Sequence, residues 1–312
     1  MTGLFRVLKN KWLLVAVVLA IILVFLQMAR RSTKYEGFTQ AEPFVSKRGA
    51  AAYDTFYAEI YDRIYKTDER SAKEAMEIVK ATQPDKENSY FLDVGCGTGC
   101  LVAELKKQGF HATGVDRSEA MIEVGKERRP KCRKNDTIKV ADATDPMLFE
   151  RGVFTHILCM DRTIYDFEDK VAFLRNCRHW LRGGGYLVLH LVEPSLYNPV
   201  VPLGQPSGLL GAKAPKKTVD GKRITDTAID FVDYKYKSTY DFSQVEKGKG
   251  IVVQTETFTD ATSNNVRQNE HTMYMDGPKS ILEDARYCGF SLIGEFVSTQ
   301  DSEQKVVILK AM

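Results

Sequence analysis

The sequence predicts an α/β fold, a parallel sheet with helices on both faces, preceded by one membrane-spanning helix. Two observations lead to this prediction. Short apolar runs alternate with amphipathic segments between residues 90 and 191, and a continuous apolar run lies near the amino terminus. Strands that alternate with helices pair side by side in parallel, and their helices cover the two faces of the sheet. The 312 residues, 44% hydrophobic and 27% charged, are enough for one large core and exclude a disordered or collagen-like chain.

The apolar run covers residues 12–29 and is interrupted only by Gln27. A helix of that length is about 27 Å long at 1.5 Å per residue, which is close to the thickness of the bilayer core. A cleavable signal peptide would have a shorter apolar region followed by small residues at the cleavage site, and the segment from Gln27 to Arg31 lacks them. Residues 1–34 are therefore predicted to be a single uncleaved transmembrane anchor with basic flanks.

The orientation of this anchor is not decided by the positive-inside rule alone, because three basic residues lie on each side of the span. Lys47 and Arg48 shift the balance toward a cytoplasmic carboxyl side, and we expect the folded domain to face the cytosol. Asn135 begins a glycosylation sequon, Asn135-Asp136-Thr137. A glycan on Asn135 would place the domain in the lumen instead.

The rest of the chain divides into a linker and one domain. Residues 35–50 have little periodicity and predict a juxtamembrane linker, followed by a domain over residues 51–312. Within it we expect amino-terminal helices over 51–88, a core over 89–194, a loop and antiparallel β insertion over 195–275, and a final helix and strands over 276–312. Strands are predicted at 90–94, 112–115, 138–141, 155–160, 185–191, 224–242, 251–262, 265–275, 290–296 and 305–310, and helices at 50–65, 71–81, 99–108, 119–128, 168–181 and 278–288.

The first strand of the core runs directly into a glycine-rich turn, Asp93-Val-Gly-Cys-Gly-Thr-Gly99, and then into a helix. Glycines at such a turn let the backbone approach a ligand closely, and the helix amino terminus offers unpaired N–H groups. A dinucleotide-binding turn needs Gly or Ala where Cys100 stands, and Asp93 suits a positively charged ligand better than a pyrophosphate. The turn therefore favours a cationic cofactor over a nicotinamide dinucleotide.

Two further acids follow predicted strands. Asp116 ends the second strand, where a carboxylate can bind the two hydroxyls of a ribose, and Asp142 ends the third, where it can accept a hydrogen bond from the amino group of adenine. Met121, one turn into the next helix, could cover the face of the ring. Each acid taken singly could be a helix cap or a loop acid, and the glycines a structural turn, but their combination favours a nucleoside-containing cofactor.

In these residues, together with Cys159-Met-Asp-Arg-Thr-Ile-Tyr165, the chain resembles the class I S-adenosylmethionine-dependent methyltransferases. The resemblance covers roughly residues 53–312 and implies a Rossmann-like seven-stranded methyltransferase sheet and S-adenosyl-L-methionine as cofactor. Tyr61-Asp-Arg-Ile-Tyr65 and His190-Leu-Val-Glu-Pro194 are similar to segments of the small-molecule N-methyltransferases that dimethylate amino sugars, although Tyr53-Asp-Thr-Phe-Tyr57 offers a second register for the first segment. The cofactor contacts that the resemblance implies are Tyr61, Tyr65, Asp93, Gly95, Cys96, Gly97, Gly99, Asp116, Arg117, Met121, Asp142, Ala143 and Cys159.

Methyl transfer from a sulfonium is an in-line displacement, so it depends mainly on holding the methyl donor and the acceptor about 3 Å apart and aligned. A general base is needed only if the acceptor arrives protonated. The candidates for that base are His190, Glu193 and Tyr165, because the ends of the fourth and fifth strands flank the methyl group in this fold, and more remotely His271. His190 could equally be a histidine with only local hydrogen bonds.

The sequence thus predicts a membrane-anchored methyltransferase acting on a nitrogen or oxygen of a small-molecule, protein or lipid acceptor. Two alternatives stay open. The chain could be a catalytically inactive module that keeps the fold as a membrane scaffold, or a nicotinamide-dependent oxidoreductase, which Cys100 and Asp93 disfavour.

Charge and cysteine content narrow the partners. The whole chain has a formal charge of +3, from 44 Lys+Arg and 41 Asp+Glu. Six of the basic residues and none of the acids lie in residues 1–34, so residues 35–312 hold 38 basic and 41 acidic residues. A net charge of −3 on the domain predicts no nucleic-acid partner. The six cysteines have no paired C-x-x-C spacing, which predicts reduced thiols and no metal site.

Overall fold

A computed structural model describes residues 42–132, 137–197, 225–246, 250–298 and 304–312, together with residues 15, 17–19, 22, 40, 218–219, 222–223 and 248. The chain divides into two compact units, residues 1–42 and 43–312. In the first unit, the described residues 15, 17–19 and 22 are helical. Within the described part of the chain, no helix is long and apolar enough to cross a membrane. Most of the predicted span over 12–29, and the sequon residue Asn135, lie outside the described residues.

The second unit contains seven helices and fourteen strands among its described residues. In chain order they are β1 Phe44–Arg48, α1 Thr55–Tyr65, α2 Thr67–Thr82, β2 Tyr90–Val94, α3 Cys100–Lys107, β3 His111–Asp116, α4 Glu119–Arg128, β4 Ile138–Val140, β5 Phe154–Cys159, α5 Lys170–Trp180, β6 Leu181–Val192, β7 Thr218–Val219, β8 Lys222–Arg223, β9 Asp226–Asp230, β10 Tyr234–Asp241, α6 Ser243–Glu246, β11 Ile251–Asp260, β12 Val266–Tyr274, α7 Pro278–Tyr287, β13 Phe290–Val297 and β14 Gln304–Ala311.

The central sheet has seven strands in the order β13-β14-β6-β5-β2-β3-β4. Strands β2 to β6 are parallel to one another, while β14 is antiparallel to both β6 and β13. The inner strands are buried along most of their length, as in Leu187-Val188-Leu189 of β6. Such continuous apolar runs are typical of strands covered on both faces. The predicted α/β fold with a largely parallel sheet is therefore confirmed.

Local signals explain most element boundaries. The first four predicted core strands begin and end within one residue of β2 to β5. The predicted helix over 50–65 is instead a short 3₁₀ turn, Gly49–Ala52, followed by α1. Asp54 separates the two, because its carboxylate accepts a hydrogen bond from the backbone N–H of Tyr57 and so caps α1.

A second sheet corrects two predictions about the ends of the domain. It has the order β1-β12-β11-β10-β9, with β1 parallel to β12 and the others antiparallel. Residues 44–48, predicted as part of the linker, form β1 because they pair with residues 266–270. The antiparallel β insertion predicted within residues 195–275 belongs to this separate sheet, and the single strand predicted over 224–242 is two strands, β9 and β10. Pairing between segments more than 200 residues apart leaves no local sequence signal.

The strand order also positions a site. Helix-linked parallel strands leave a crevice at their carboxyl ends where the connections turn to opposite sides of the sheet. Strands β2 to β5 are parallel, so the turns that follow them all lie at one edge of the sheet. Because β2 lies between β3 and β5, the connections turn to opposite sides beside β2.

Candidate active site

A cavity of about 340 Å³ opens at this edge of the sheet. One wall is formed by the turns after β2, β3, β4 and β5. The other walls come from the 3₁₀ turn, α1, α5 and strands β11 and β12 of the second sheet. The residues that line it are Ala50, Tyr53, Tyr57, Tyr61, Tyr65, Val94, Gly95, Gly97, Val115–Ser118, Met121, Ala141–Thr144, Asp161–Thr163, Asp166–Asp169, Ala172, Phe173, Gln254, His271 and Met273.

The glycine turn takes a backbone conformation that requires glycine. Gly95, Gly97 and Gly99 all have positive φ, at 68°, 53° and 77°. A Cβ on Gly95 would also lie 2.4 Å from Cγ2 of Thr163. Gly95 and Gly97 line the cavity, whereas Gly99 packs against Ile138 and does not. The turn therefore exposes backbone, with no side chains, to a ligand.

Asp116 ties this turn to β3. Its carboxylate accepts hydrogen bonds from the backbone N–H of Gly97 at 2.9 Å and of Ser118 at 2.8 Å. Burial raises the pKa of Asp116, and these two backbone donors oppose the rise. Arg117 and Met121 line the cavity beside it. The side chain predicted to bind a ribose thus lies in the cavity wall next to the glycine turn.

The next turn brings the predicted adenine contacts to the same wall. Asp142 and Ala143 follow β4 and line the cavity. The Asp142 carboxylate accepts hydrogen bonds from the backbone N–H and the hydroxyl of Thr144, at 2.9 and 2.8 Å. This turn fixes the backbone of residues 142–144, so their polar groups are held beside Asp116 and Met121.

An aromatic wall faces the glycine turn. Tyr53, Tyr57, Tyr61 and Tyr65 follow each other at intervals of four residues, and all four line the cavity. Both predicted registers of the tyrosine motif are therefore present at the site. The Tyr61 and Tyr65 rings are 4.8 Å apart, and the hydroxyl of Tyr61 donates to Asp161 at 2.9 Å.

Asp62 also lies on α1 and joins this helix to the glycine turn. It accepts hydrogen bonds from the hydroxyl of Thr98 at 2.6 Å and from Arg129 at 2.9 Å. Although burial alone would raise the pKa of Asp62, Arg129 and the hydroxyl donors lower it. The ionised carboxylate thus connects the aromatic wall with the cofactor turn.

Four predicted cofactor residues lie outside the cavity lining: Asp93, Cys96, Gly99 and Cys159. Asp93 is buried under the turn, where burial and the nearby Glu74 raise its pKa. The Cys96 side chain packs against Gly114, and Cys159 lies fully buried in the core of the domain. The motif therefore specifies the backbone shape of the glycine turn as well as the residues that line the cavity.

None of the three predicted catalytic candidates lines the cavity. The hydroxyl of Tyr165 donates to the carbonyl of Val192 and accepts from its N–H, at 3.0 and 2.8 Å, which holds the end of β6. Glu193 accepts a hydrogen bond from Ser195 at 3.2 Å. His190 is fully buried, and burial lowers its pKa to about 4, so it is neutral. The sequence shows that these residues lie near strand ends, but it does not show on which face of the sheet each side chain lies.

The loop after β5 contributes residues that were quoted in the methyltransferase motif but given no role. Asp161 and Arg162 both have positive φ, 48° and 69°, which is uncommon for non-glycine residues and often occurs at functional sites. Asp161 pairs with Arg70 at 2.9 Å. Burial would raise the pKa of Asp161, but Arg70 and Arg162 hold it at about 2. The loop therefore presents to the cavity an ionised carboxylate that is paired with Arg70 and Arg162.

The second sheet supplies the residues that sequence reasoning located least well. Gln254 and His271 are register partners on β11 and β12, and both line the cavity together with Met273. A polar alternation on one face of these strands was the only signal for them in the sequence.

Comparison with known proteins agrees with this geometry. Residues 91–185 match the family model described as "Methyltransferase domain". The chain is 37% identical over 75 residues to a magnesium-protoporphyrin O-methyltransferase of Rhodobacter capsulatus, which is 24% of this chain and 32% of that protein. It is 32% identical over 107 residues to a ubiquinone biosynthesis O-methyltransferase of Coxiella burnetii, 34% of this chain and 45% of the relative. The matches thus span less than half the length of these curated relatives.

A solved structure extends the comparison beyond the matched segment. An S-adenosylmethionine-dependent methyltransferase from Clostridium acetobutylicum superposes with a TM-score of 0.60 at 16% identity, covering 82% of this chain and 97% of the other. At that identity the likeness concerns the fold. The chain therefore has a Rossmann-like methyltransferase α/β fold, and residues 91–185 are similar in sequence to a methyltransferase domain.

Proposed function

We propose that this protein binds S-adenosylmethionine in the cavity and transfers its methyl group to a nitrogen or oxygen of a small or surface-borne acceptor. The observation that carries the proposal is the shared wall formed by Gly95, Gly97, Asp116 and Asp142. Glycine backbone, an acid at the end of β3 and a turn after β4 meet at one cavity, as a nucleoside-containing ligand requires.

The residues of the cavity suit the parts of this cofactor. Asp116 would bind the ribose hydroxyls, Met121 and Ala143 would enclose the adenine, and the backbone of Gly95 and Gly97 would approach the amino-acid portion. When bound, the cofactor supplies a sulfonium-linked methyl group. The ring faces of the tyrosine wall favour a cation, while the charge of Asp161 is balanced by its pairing with Arg70 and Arg162.

The chain itself contributes positioning more than chemistry. The network from Tyr61 through Asp161 to Arg70 joins α1 to the loop after β5, and Asp62 joins α1 to the glycine turn. These connections hold three walls of the cavity together. Alignment of donor and acceptor in such a site supplies about 7–11 kcal/mol where it is good.

Calorimetry with S-adenosylhomocysteine and NAD in parallel tests the proposal. We expect S-adenosylhomocysteine to bind and NAD to give no heat of binding. The reason is that Cys100 stands where a dinucleotide-binding turn needs Gly or Ala. Binding of NAD alone would refute the methyltransferase proposal. A tritium-transfer screen with labelled S-adenosylmethionine over amines, sugars, lipids and peptides then tests turnover. Cofactor binding with no transfer to any acceptor would favour the inactive scaffold.

We further infer that residues 12–29 anchor the domain to a membrane and that the domain faces the cytosol. The support is the apolar run in the sequence. We expect the full chain to stay in the membrane pellet after alkaline carbonate extraction. An arginine at the centre of a membrane span costs about 2.5–3.5 kcal/mol. The double substitution Val18→Arg and Leu23→Arg should therefore release the chain from the membrane pellet, whereas Val18→Leu should leave it there. Extraction of the unmodified chain would refute the anchor, and a glycan on Asn135 in a eukaryotic host would refute the cytosolic orientation.

A further inference from the structure

Glu256 on β11 is a fully buried carboxylate that engages donor groups of the cavity wall. It has no exposed surface. The hydroxyls of Tyr236 and Tyr65 donate to its Oε1 at 2.7 and 3.1 Å, and Nε2 of His271 lies 2.9 Å from its Oε2. Burial would raise the pKa of Glu256, but its hydrogen bonds, first that of His271, lower the pKa overall. An ionised carboxylate can only accept hydrogen bonds, so the one hydroxyl proton of Tyr65 points toward Glu256.

This network fixes the orientation of the side-chain amide of Gln254. Its Nε2 atom lies 3.0 Å from the hydroxyl of Tyr65 and 3.1 Å from Oγ of Ser238. Because the hydroxyl of Tyr65 donates its proton to Glu256, it can only accept from Gln254, which places the NH₂ group and not the carbonyl oxygen on that side. Both N–H bonds of the amide are therefore used within the protein, and the carbonyl oxygen Oε1 is the remaining polar atom of the side chain.

Oε1 of Gln254 faces the cavity without a protein partner. Gln254 is only 6% exposed, and it lines the cavity. No described residue donates a hydrogen bond to its Oε1, and this atom is not one of the fully buried side-chain atoms that lack a partner. The small exposed part of the side chain therefore includes an unpartnered acceptor. A nearly buried carbonyl oxygen is costly to leave without a donor, so this position favours a ligand that supplies one.

A second acceptor lies in the same part of the cavity. Asp166, in the loop after β5, is exposed and lines the cavity, and it makes no hydrogen bond or ion pair with any described residue. It interacts electrostatically with Arg117 and His271 but is not paired with either. His271 is the register partner of Gln254 on the neighbouring strand. The space between the second sheet and this loop is thus bordered by a carbonyl oxygen and a carboxylate, both of which can accept from a ligand.

We propose that the acceptor binds between the second sheet and the loop after β5, and that a hydroxyl or amine N–H of the acceptor donates a hydrogen bond to Oε1 of Gln254. Gln254 is then a specificity-determining residue, which selects acceptors with a hydrogen-bond donor over ethers and carboxylates of similar shape. Glu256 acts through Tyr65, because it fixes which end of the amide faces the cavity. This inference rests on the proposed function and names the class of acceptor.

Binding of small probes to the chain saturated with S-adenosylhomocysteine tests this preference without knowledge of the natural acceptor. Benzyl alcohol and benzylamine carry a donor, whereas benzyl methyl ether and benzoate have the same ring and no donor. Saturation-transfer-difference NMR measures the affinity of each probe. We expect the alcohol and the amine to bind about tenfold or more tightly than the ether and benzoate, because a site that hydrogen-bonds a group rejects the analogue that lacks it. An ether that binds as tightly as the alcohol, or no binding of any of the four probes, would overturn the proposal.

Substitutions show whether the amide of Gln254 is the origin of the preference. Gln254→Met keeps the length of the side chain and removes the acceptor, so the ratio of alcohol to ether affinity should fall to about one. Tyr65→Phe leaves Gln254 in place but removes the hydroxyl that orients its amide, so the ratio should fall about threefold or more. The ratio compares two probes on the same protein, so a loss of stability alone does not change it. Gln268→Met is the matched control, because it removes an amide from β12 outside the cavity lining and should leave the ratio unchanged.

The outcomes distinguish this proposal from the one on which it rests. No binding of S-adenosylhomocysteine by the unmodified chain would refute the methyltransferase function itself. Normal binding of S-adenosylhomocysteine, with a donor preference that survives in Gln254→Met, would refute only the role of Gln254. Melting temperatures of the variants control for folding. If Gln254→Met does not fold, the four probes on the unmodified chain and the ratio in Tyr65→Phe decide.

Discussion

Replacing Asp116 with alanine is expected to weaken binding of S-adenosylhomocysteine about 100-fold or more. Asp116 lies in the cavity wall, and its carboxylate would bind the two ribose hydroxyls. Hydrogen bonds to a charged group contribute about 1.5–3 kcal/mol each, so loss of the carboxylate removes at least a factor of ten per bond. The same substitution also removes the acceptor for Gly97 and Ser118, which loosens the glycine turn. Isothermal titration calorimetry measures the change.

The control is Asp260→Ala, which removes a carboxylate that is exposed and lies at the end of β11, away from the cavity. It should bind S-adenosylhomocysteine like the unmodified chain. Asp116→Asn separates the two roles of the side chain, because the amide oxygen can still accept one backbone hydrogen bond while the charge is lost. An affinity of Asp116→Ala within threefold of normal, in a protein with a normal melting temperature, would remove Asp116 from the site.

Replacing Gly125 with alanine should destabilise the domain and weaken cofactor binding together. In an exposed helix, alanine is more favourable than glycine by about 1 kcal/mol. Gly125, however, lies where α4 packs on the glycine turn, and a Cβ there would be 2.4 Å from the carbonyl oxygen of Thr98. A backbone atom cannot rotate away, so either α4 or the turn must move. Overpacking of this kind costs about 1–3 kcal/mol.

The measurement is the melting temperature, followed by calorimetry with S-adenosylhomocysteine. We expect a lower melting temperature and an affinity reduced about tenfold, because Thr98 belongs to the turn that approaches the cofactor. Gly183→Ala is the matched control, since no atom lies within 4 Å of a Cβ at that position. A rise in the melting temperature of Gly125→Ala would mean that helix propensity outweighs the contact and would contradict the packing of α4 on the turn.

Much of the core was predictable because its signals are local. A run of apolar residues specifies β2, the glycines after it specify the turn, and Asp116 and Asp142 follow β3 and β4 directly along the chain. Parallel strands then bring these turns to one edge without further information. The same reasoning does not decide whether Tyr165, His190 and Glu193 line the cavity, because the direction of a side chain depends on the face of the strand and on what packs against it.

The second sheet shows which contacts a local sequence pattern cannot predict. β1 pairs with β12 across more than 200 residues, and Tyr65 of α1 donates a hydrogen bond to Glu256 of β11. No local pattern encodes these contacts. They decide where the cavity closes, and they bring His271, a remote candidate in the sequence, to the cavity wall.

By itself, the sequence determined the α/β fold, the cofactor turn and the acids beside it, since each depends on neighbouring residues along the chain. Only the tertiary structure decided which side chains surround the cavity opposite that turn. The reason is physical: the glycine turn and the acids beside it follow individual strands, whereas the opposite walls of the cavity are assembled from α1, the loop after β5 and the second sheet, whose contacts arise from packing between distant segments.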